Sequence, residues 1–100
     1  MKLTTSVILA IIIASSGEAF GADAGALWVQ NCAFCHGKDG SGNTMMGKKL
    51  GVKDFTKEQS SAPEATNIIK NGKGNMSAYK DKLSDADVTA LVAFIRSLKK

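Results

Sequence analysis

The sequence predicts an all-α protein of short helices joined by loops, and two observations support that class. Towards the C-terminus, apolar residues recur at the i, i+3, i+4, i+7 spacing of one helical face. These residues are Val88, Leu91, Val92, Ile95 and Leu98. Elsewhere, no run shows the sustained alternation of β-branched residues that a half-buried strand requires. Helices without a sheet are therefore expected.

The N-terminal half of the domain is predicted to hold one regular helix followed by a long loop. That helix is expected from about Ala24 to Ala33, because Asp23 is a suitable N-cap. The stretch from Gly37 to Gly51 contains five glycines and predicts a loop in place of a long regular helix. A short helix is expected near Phe55 to Gln59.

Two further helices are bounded by local signals. Pro63 fits a first helical turn, where its missing N–H has no intrahelical partner. That helix is expected to end near Asn71. The last helix is expected to begin after Ser84, a good N-cap residue. Asp85 in its first turn and Arg96 in its last turn carry the charges that the helix dipole favours.

The chain begins with the features of a secretory signal peptide. Lys2 supplies a positive start, residues 7–14 form a nearly unbroken apolar run, and small residues follow. We predict a signal peptide over residues 1–21, with cleavage after Gly21 or Ala22, and a single domain over residues 22–100. An uncleaved anchor is the weaker alternative, because the apolar run is well short of the roughly 20 residues that span a bilayer. The expected localisation is periplasmic.

Composition limits the classes of function. The formal charge is +4, and loss of Lys2 and Glu18 with the signal peptide leaves it unchanged. Mild basicity with scattered lysines favours an acidic partner protein over nucleic acid. A domain this short buries a modest core and often needs a cofactor or a covalent staple. Two cysteines allow at most one disulfide, so a cofactor is the better expectation.

The motif that carries chemistry is Cys32-Ala33-Phe34-Cys35-His36, a C-x-x-C-H sequence. This is the attachment signature of c-type haem. Two intervening residues on a helical turn place both thiols along one porphyrin edge, where each forms a thioether with a vinyl group. The following histidine can then direct its imidazole at the iron. We therefore predict one covalently attached haem c, held by Cys32 and Cys35 and ligated by His36.

Three other interpretations of the cysteines remain open at this point. A thioredoxin-like redox pair would need a strand–helix setting, and no strands are predicted. A structural zinc site would need about four Cys or His ligands, whereas the chain has two cysteines and one histidine. A simple disulfide would be compatible with export.

The second axial ligand is predicted to be Met76. His36 is the only histidine, so two imidazoles from one chain are excluded. Met76 lies in a glycine-bearing loop before the last helix, far enough along the chain to wrap around the haem. Met45 and Met46 are the alternatives, together with no methionine ligand. If they are not ligands, the side chains of Met45 and Met46 would fill gaps in the core. A thioether opposite histidine raises the reduction potential relative to two imidazoles.

Two segments resemble the class I c-type cytochromes of the small bacterial monohaem type. They are CAFCHGKDGSG and GKGNMSAYKDKLSDADVTALVAFIRSL, and the resemblance extends from about Ala24 to Lys100. It implies the cytochrome c fold, with short helices and loops wrapped around one covalently bound haem. It also implies close packing of the first helix on the last, where Gly25 and Phe94 match a family glycine and aromatic. Trp28 matches an aromatic of the family's core.

Two departures from the family pattern concern proline. Where the family often has Met-Pro, Met76 is followed by Ser77, so we expect a more mobile loop and a labile iron–sulfur bond. The family also often has a proline after the haem motif, whose carbonyl orients the histidine. Here Pro63 is the only proline, so the acceptor for His36 is expected elsewhere, at a backbone carbonyl near Gly47.

These observations predict a soluble monohaem electron-transfer protein that shuttles single electrons between exported redox partners. It is expected to be monomeric, not an enzyme, and without stable membrane insertion. A haem-bearing subunit of a larger dehydrogenase or oxidase complex and a haem-based sensor are the alternatives. Six lysines flank the two predicted haem loops and either steer an acidic partner or form an ordinary solvated surface. They are Lys48, Lys49, Lys53, Lys73, Lys80 and Lys82.

Overall fold

The computed structural model describes residues 23–100, and within that range the chain is helical. Its helices are α1 (Ala24–Asn31), α2 (Ala33–His36), α3 (Met45–Leu50), α4 (Ala62–Asn71) and α5 (Asp85–Ser97). Residues 23–100 contain no β-strand, only an isolated bridge between Lys73 and Met76. The all-α class is confirmed. The predicted signal peptide lies outside the described residues.

The predicted first helix is divided in two at Cys32. Asp23 caps α1 as expected, since its carboxylate accepts from the backbone N–H of Gly25 at 3.0 Å. The expected end at Ala33 is wrong, because α1 ends at Asn31 and Cys32 is its C-cap residue, with φ −119°. The carbonyl of Cys32 then accepts from His36 N at 2.9 Å and starts α2. The C-x-x-C-H motif therefore occupies a helical turn of its own.

The glycine-rich stretch contains a short helix, α3, and no long one. Thr44 caps α3 through a side chain that accepts from Gly47 N at 2.7 Å. The same hydroxyl donates to the carbonyl of Cys35 at 2.8 Å, which ties α3 to the cysteine motif. Gly51 ends the helix in the left-handed conformation, with φ +66°. The local capping of α3 thus positions it against the motif.

The helix expected near Phe55 to Gln59 does not form, and the chain makes turns there instead. In a helix, the carbonyl of Phe55 would accept the backbone N–H of Gln59. Here it accepts the side-chain amide of Gln59 at 3.0 Å, and the same amide donates to Ile95 O at 2.7 Å. A tertiary contact to α5 replaces the helical hydrogen bond, which explains the wrong prediction.

The other two predicted helices are confirmed with their local signals. Ser61 caps α4, which contains Pro63 in its first turn and ends at Asn71. At the start of α5, Ser84 and Asp87 form a capping box in which each side chain accepts from the other's backbone N–H. The starts of α4 and α5 are set by hydrogen bonds between residues a few positions apart, so they can be predicted from sequence.

The core lies where α1 and α4 pack against α5. It consists of Trp28, Ile69, Leu83, Val88, Leu91, Val92 and Ile95. A β-carbon on Gly25 would lie 4.0 Å from Phe94 Cε1, so the expected close approach of the first and last helices is confirmed. Across residues 23–100, no helix combines the length and the apolar character needed to cross a membrane.

Gly47 is expected to be essential for seating α3, and Gly47→Ala should lower the free energy of unfolding by about 2 kcal/mol. A β-carbon there would overlap the carbonyl oxygens of Cys35 and Gly42, which are backbone atoms that cannot rotate away. Gly25→Ala is the matched control, because it places alanine in a helix beside atoms no closer than 3.3 Å. Urea unfolding of both variants measures the difference, and equal stabilities would contradict the prediction.

Candidate functional site

A cavity of about 590 Å³ opens between the helices, and all four predicted site residues line it. Its lining includes Cys32, Cys35, His36 and Met76. A volume of this size is typical of cavities that hold a cofactor or a drug-sized ligand. The chain thus brings together side chains that lie up to 44 positions apart (76 − 32) in the sequence.

Most of the cavity surface is apolar, and all five helices contribute residues to it. The apolar side chains from α1, α3, α4 and α5 are Trp28, Leu50, Ala65, Ile68, Ile69, Val92 and Ile95. The charged residues of the lining are Lys53, Glu64, Lys73 and Arg96, with a net positive charge. An apolar cavity with a few polar groups at defined positions suits a large, flat, mainly hydrophobic cofactor.

The two cysteines are half-buried, and neither takes part in a disulfide. Burial raises the pKa of the Cys32 thiol to about 11, so this thiol is protonated at neutral pH. Redox-active C-x-x-C pairs depend on a lowered thiol pKa, because the thiolate is the nucleophile. Cys32 therefore lacks the property that a thioredoxin-like pair requires.

A zinc site made by the protein alone is also unsupported by the geometry. Among residues 23–100, no three His, Cys, Asp or Glu side chains are grouped closely enough to bind a metal ion. The cysteines and His36 instead face a cavity large enough for an organic group.

The imidazole of His36 is held by aromatic contacts. It stacks on Phe55 with ring centroids 5.0 Å apart and an interplanar angle of 21°. Trp28 lies on another side at 5.8 Å. Burial lowers the pKa of His36, which favours the neutral imidazole that can act as a metal ligand.

The expected carbonyl partner of His36 near Gly47 is not present. Nδ1 of His36 is buried and has no hydrogen-bond partner among residues 23–100. The carbonyl of Gly47 accepts from Val52 N at 3.0 Å, and that of Cys35 accepts from Thr44 Oγ1 at 2.8 Å. A buried unpaired polar atom is rare in folded proteins. This ring nitrogen of His36 therefore has an unused bonding capacity.

Met45, Met46 and Met76 differ in burial and in whether they line the cavity. Met76 is half-buried, packs against the core and lines the cavity. Met45 is 89% exposed, so the interpretation of this side chain as a core gap-filler is wrong. Its position at the first turn of α3, with Gly47 buried on the other side, directs it to solvent. Met46 is half-buried and, like Met45, is not part of the cavity lining.

Among the lining residues to which the sequence patterns gave no role, Gln59 and Tyr79 make long-range hydrogen bonds. Gln59 joins the loop after Phe55 to α5 through its amide. The hydroxyl of Tyr79 donates to the carbonyl of Asn31 at 3.1 Å, across 48 positions of sequence. No local pattern marks either residue, because each acts through a partner that is distant in the chain.

Comparison with known proteins agrees with this geometry. A family model described as cytochrome C oxidase, cbb3-type, subunit III, matches residues 19–95. A cytochrome c6 from Picosynechococcus sp. strain PCC 7002 is 36% identical over 104 aligned positions, which cover 88% of this chain and 84% of the relative. A cytochrome c6-like protein from Nostoc sp. strain PCC 7120 is 41% identical over 66 residues, 65% of this chain and 59% of the relative.

A solved structure is similar over most of the chain. It is the KustC0563 c-type cytochrome, which superposes with a TM-score of 0.73 at 34% sequence identity. The alignment covers 78% of this chain and 99% of that structure. The cytochrome c fold expected from the resemblance is therefore confirmed.

Trp28 is expected to stabilise the segment that carries His36. Its indole N–H donates to the carbonyl of Gly37 at 2.8 Å in a buried environment. Trp28→Phe removes that donor and part of the core volume, and should lower the free energy of unfolding by about 1–3 kcal/mol. Denaturant unfolding tests this. Phe94→Leu is a control, because the Phe94 ring packs on the same indole, with centroids 5.5 Å apart. This substitution reduces apolar volume without removing a hydrogen bond. A Trp28→Phe protein as stable as the unsubstituted one would contradict the assignment.

Proposed function

The chain belongs to the class I c-type cytochromes, and on that premise we propose that it is a soluble, exported monohaem electron carrier. It has one covalently attached haem c, as the family does. One observation carries the proposal: a single, mainly apolar cavity gathers two thiols, one imidazole and one thioether. The proposal includes removal of residues 1–21 during export to the periplasm.

The donor set fits the cofactor. The thiols of Cys32 and Cys35 would hold the porphyrin covalently, with His36 and Met76 as the axial ligands of the iron. When bound, haem c supplies a one-electron couple between ferric and ferrous iron. The apolar lining suits the porphyrin, and contacts with Phe55 and Trp28 restrict rotation of the His36 ring.

The proposed ligands favour electron transfer over catalysis. As a ligand, the thioether of Met76 would be a soft donor that favours the reduced iron and raises the reduction potential. With His36 also bound, the two side chains would leave no position on the iron for a substrate. For this reason we propose a carrier and not an enzyme.

Partner recognition is proposed to involve basic and apolar groups around the cysteine motif. Phe34 lies between the two cysteines and is 76% exposed. Lys53 and Lys73 line the cavity, while Lys48 and Lys49 are exposed on α3. An exposed aromatic in the cysteine motif, together with lysines at the cavity and on α3, suits a partner with an apolar centre and acidic surroundings.

A second candidate is a haem-bearing subunit of a larger oxidase complex. It is favoured by the family model that matches residues 19–95, whose description is a subunit of a cbb3-type oxidase. Stable co-purification with a larger haem protein at physiological salt would favour the subunit. Isolation as a free monomer would favour the carrier.

Replacing Met76 is expected to abolish His–Met ligation. The protein, purified from the exported fraction of a haem-loading host, should show a reduced c-type α-band and, when oxidised, the weak near-infrared band of a sulfur–iron bond. Met76→Ala should remove the near-infrared band and lower the reduction potential, because the soft ligand is lost.

Met45→Ala is the matched control for this experiment, since Met45 is a methionine of the same chain that is 89% exposed. It should leave both the band and the potential unchanged. If the unsubstituted protein lacks the near-infrared band and binds carbon monoxide when reduced, Met76 is not the ligand and the site is open. Absence of any haem would remove the carrier proposal.

Lys53 is expected to accelerate reaction with anionic oxidants. Lys53→Ala should reduce the second-order rate of oxidation by ferricyanide about twofold at low ionic strength, because a positive charge at the cavity is lost. Lys57→Ala is the control, as Lys57 is also exposed but lies outside the cavity lining. Stopped-flow measurements at several salt concentrations test this. Equal rates for the two variants, or no salt dependence, would leave the lysines as ordinary surface groups.

A further inference from the structure

The segment after α4 holds Met76 without a proline beside it. In residues 72–80 the methionine is followed by Ser77, whose φ is not restricted by a ring. The missing proline alone predicts a mobile loop. The backbone hydrogen bonds of this segment show what holds it instead.

Met76 closes a two-residue hairpin turn. Lys73 N donates to Met76 O at 3.0 Å, and Met76 N donates to Lys73 O at 2.9 Å. Gly74 has φ +58°, while no residue other than glycine has a positive φ among residues 23–100. A two-residue hairpin with a positive φ only at its first central position is a type II′ turn, which favours glycine there. Both backbone polar groups of Met76 are therefore fixed by Lys73.

The hairpin is seated closely on the end of α4. Gly72 has φ +82°, and a β-carbon on it would lie 2.7 Å from Met76 O and 3.0 Å from Ala78 N. Beyond the hairpin, Tyr79 N donates to Ile69 O at 2.9 Å. The segment is thus attached to α4 on both sides of Met76.

The side chain of Tyr79 makes the remaining attachment. Its hydroxyl donates to the carbonyl of Asn31 at 3.1 Å. Asn31 is the last residue of α1 and directly precedes Cys32. This hydrogen bond joins the segment that carries Met76 to the backbone that carries the first cysteine. It also spans part of the cavity wall, since Asn31 and Tyr79 both line it.

We propose that Tyr79 is a positioning residue whose hydroxyl, together with the type II′ turn at Gly74, restrains Met76 at the cavity in place of a proline. This inference rests on the proposed function, because it takes Met76 as the second axial ligand. The two restraints favour a closed site in which an external ligand displaces the methionine only with difficulty.

Imidazole displacement of Met76 in the oxidised, haem-loaded protein tests the proposal. Tyr79→Phe keeps the ring and removes one hydrogen bond. It should lower the apparent dissociation constant for imidazole about 2- to 10-fold, the change expected for loss of one hydrogen bond that restrains the closed state. Loss of the near-infrared sulfur–iron band at constant pH reports the displacement.

Thr66→Val is the matched control for this variant. Thr66 Oγ1 also donates to a backbone carbonyl, that of Ala62 at 2.8 Å, and is likewise part-buried, but it is not part of the cavity lining. Thr66→Val should leave the imidazole affinity unchanged even where it lowers the thermal midpoint as much as Tyr79→Phe does. A purely structural role of Tyr79 would instead lower the midpoint without changing the affinity.

A second pair of variants tests the turn independently. Gly74→Ala should also strengthen imidazole binding, because a β-carbon disfavours positive φ and opens the hairpin. Gly51→Ala is its control. Gly51 has φ +66°, and both glycines have open space where the β-carbon would be, but Gly51 lies outside the Met76 segment.

The outcomes separate this inference from the proposed function. If the unsubstituted protein has the near-infrared band and both Tyr79→Phe and Gly74→Ala bind imidazole like their controls, the positioning role is overturned while His–Met ligation stands. If the unsubstituted protein lacks the band, Met76 ligation fails and the positioning role fails with it. Imidazole binding that is stronger in Tyr79→Phe and in Gly74→Ala, but unchanged in their two controls, supports the proposal.

Discussion

The buried indole of Trp28 is the contact on which the rest of the structure depends. Only 1% of its surface is exposed, and its N–H donates to the carbonyl of Gly37, directly after His36. Its ring packs against Phe94 of α5 and against His36 and Phe55 at the cavity. One side chain therefore connects the packing of the first and last helices to the orientation of the proposed iron ligand. A polar tip on a large apolar body makes tryptophan suited to both tasks.

Cofactor and core are physically linked in a chain of this size. The seven buried apolar residues lie between α1, α4 and α5, and several of them also form the cavity wall. Without haem c that wall loses contacts on one side, because an unfilled apolar space has no partner atoms for its lining. A group that binds the folded chain and not the unfolded one adds its binding free energy to stability. The cofactor is thus part of the core as well as the carrier of the electron.

The two sides of the cavity are constructed by different means. On the cysteine side, α2 is held by α3 through Thr44 and by close approach to Gly47. On the methionine side, Met76 itself lies outside the helices, in a hairpin turn that hydrogen bonds attach to α4 and, through the Tyr79 hydroxyl, to the end of α1. Backbone hydrogen bonds restrain the methionine, whereas helix packing restrains the histidine.

The sequence by itself determined the helical class, the bounds of α4 and α5, and the two thiols and the imidazole that meet at the cavity. These follow from caps, periodicity and the C-x-x-C-H spacing, all of which act between neighbouring residues. Only the tertiary structure decided that α1 stops before Cys32, that no helix forms after Phe55, and that Met45 faces solvent. It alone paired Gln59 with Ile95 and Tyr79 with Asn31. Those outcomes depend on hydrogen bonds between residues far apart in the chain, whose partners no local pattern specifies.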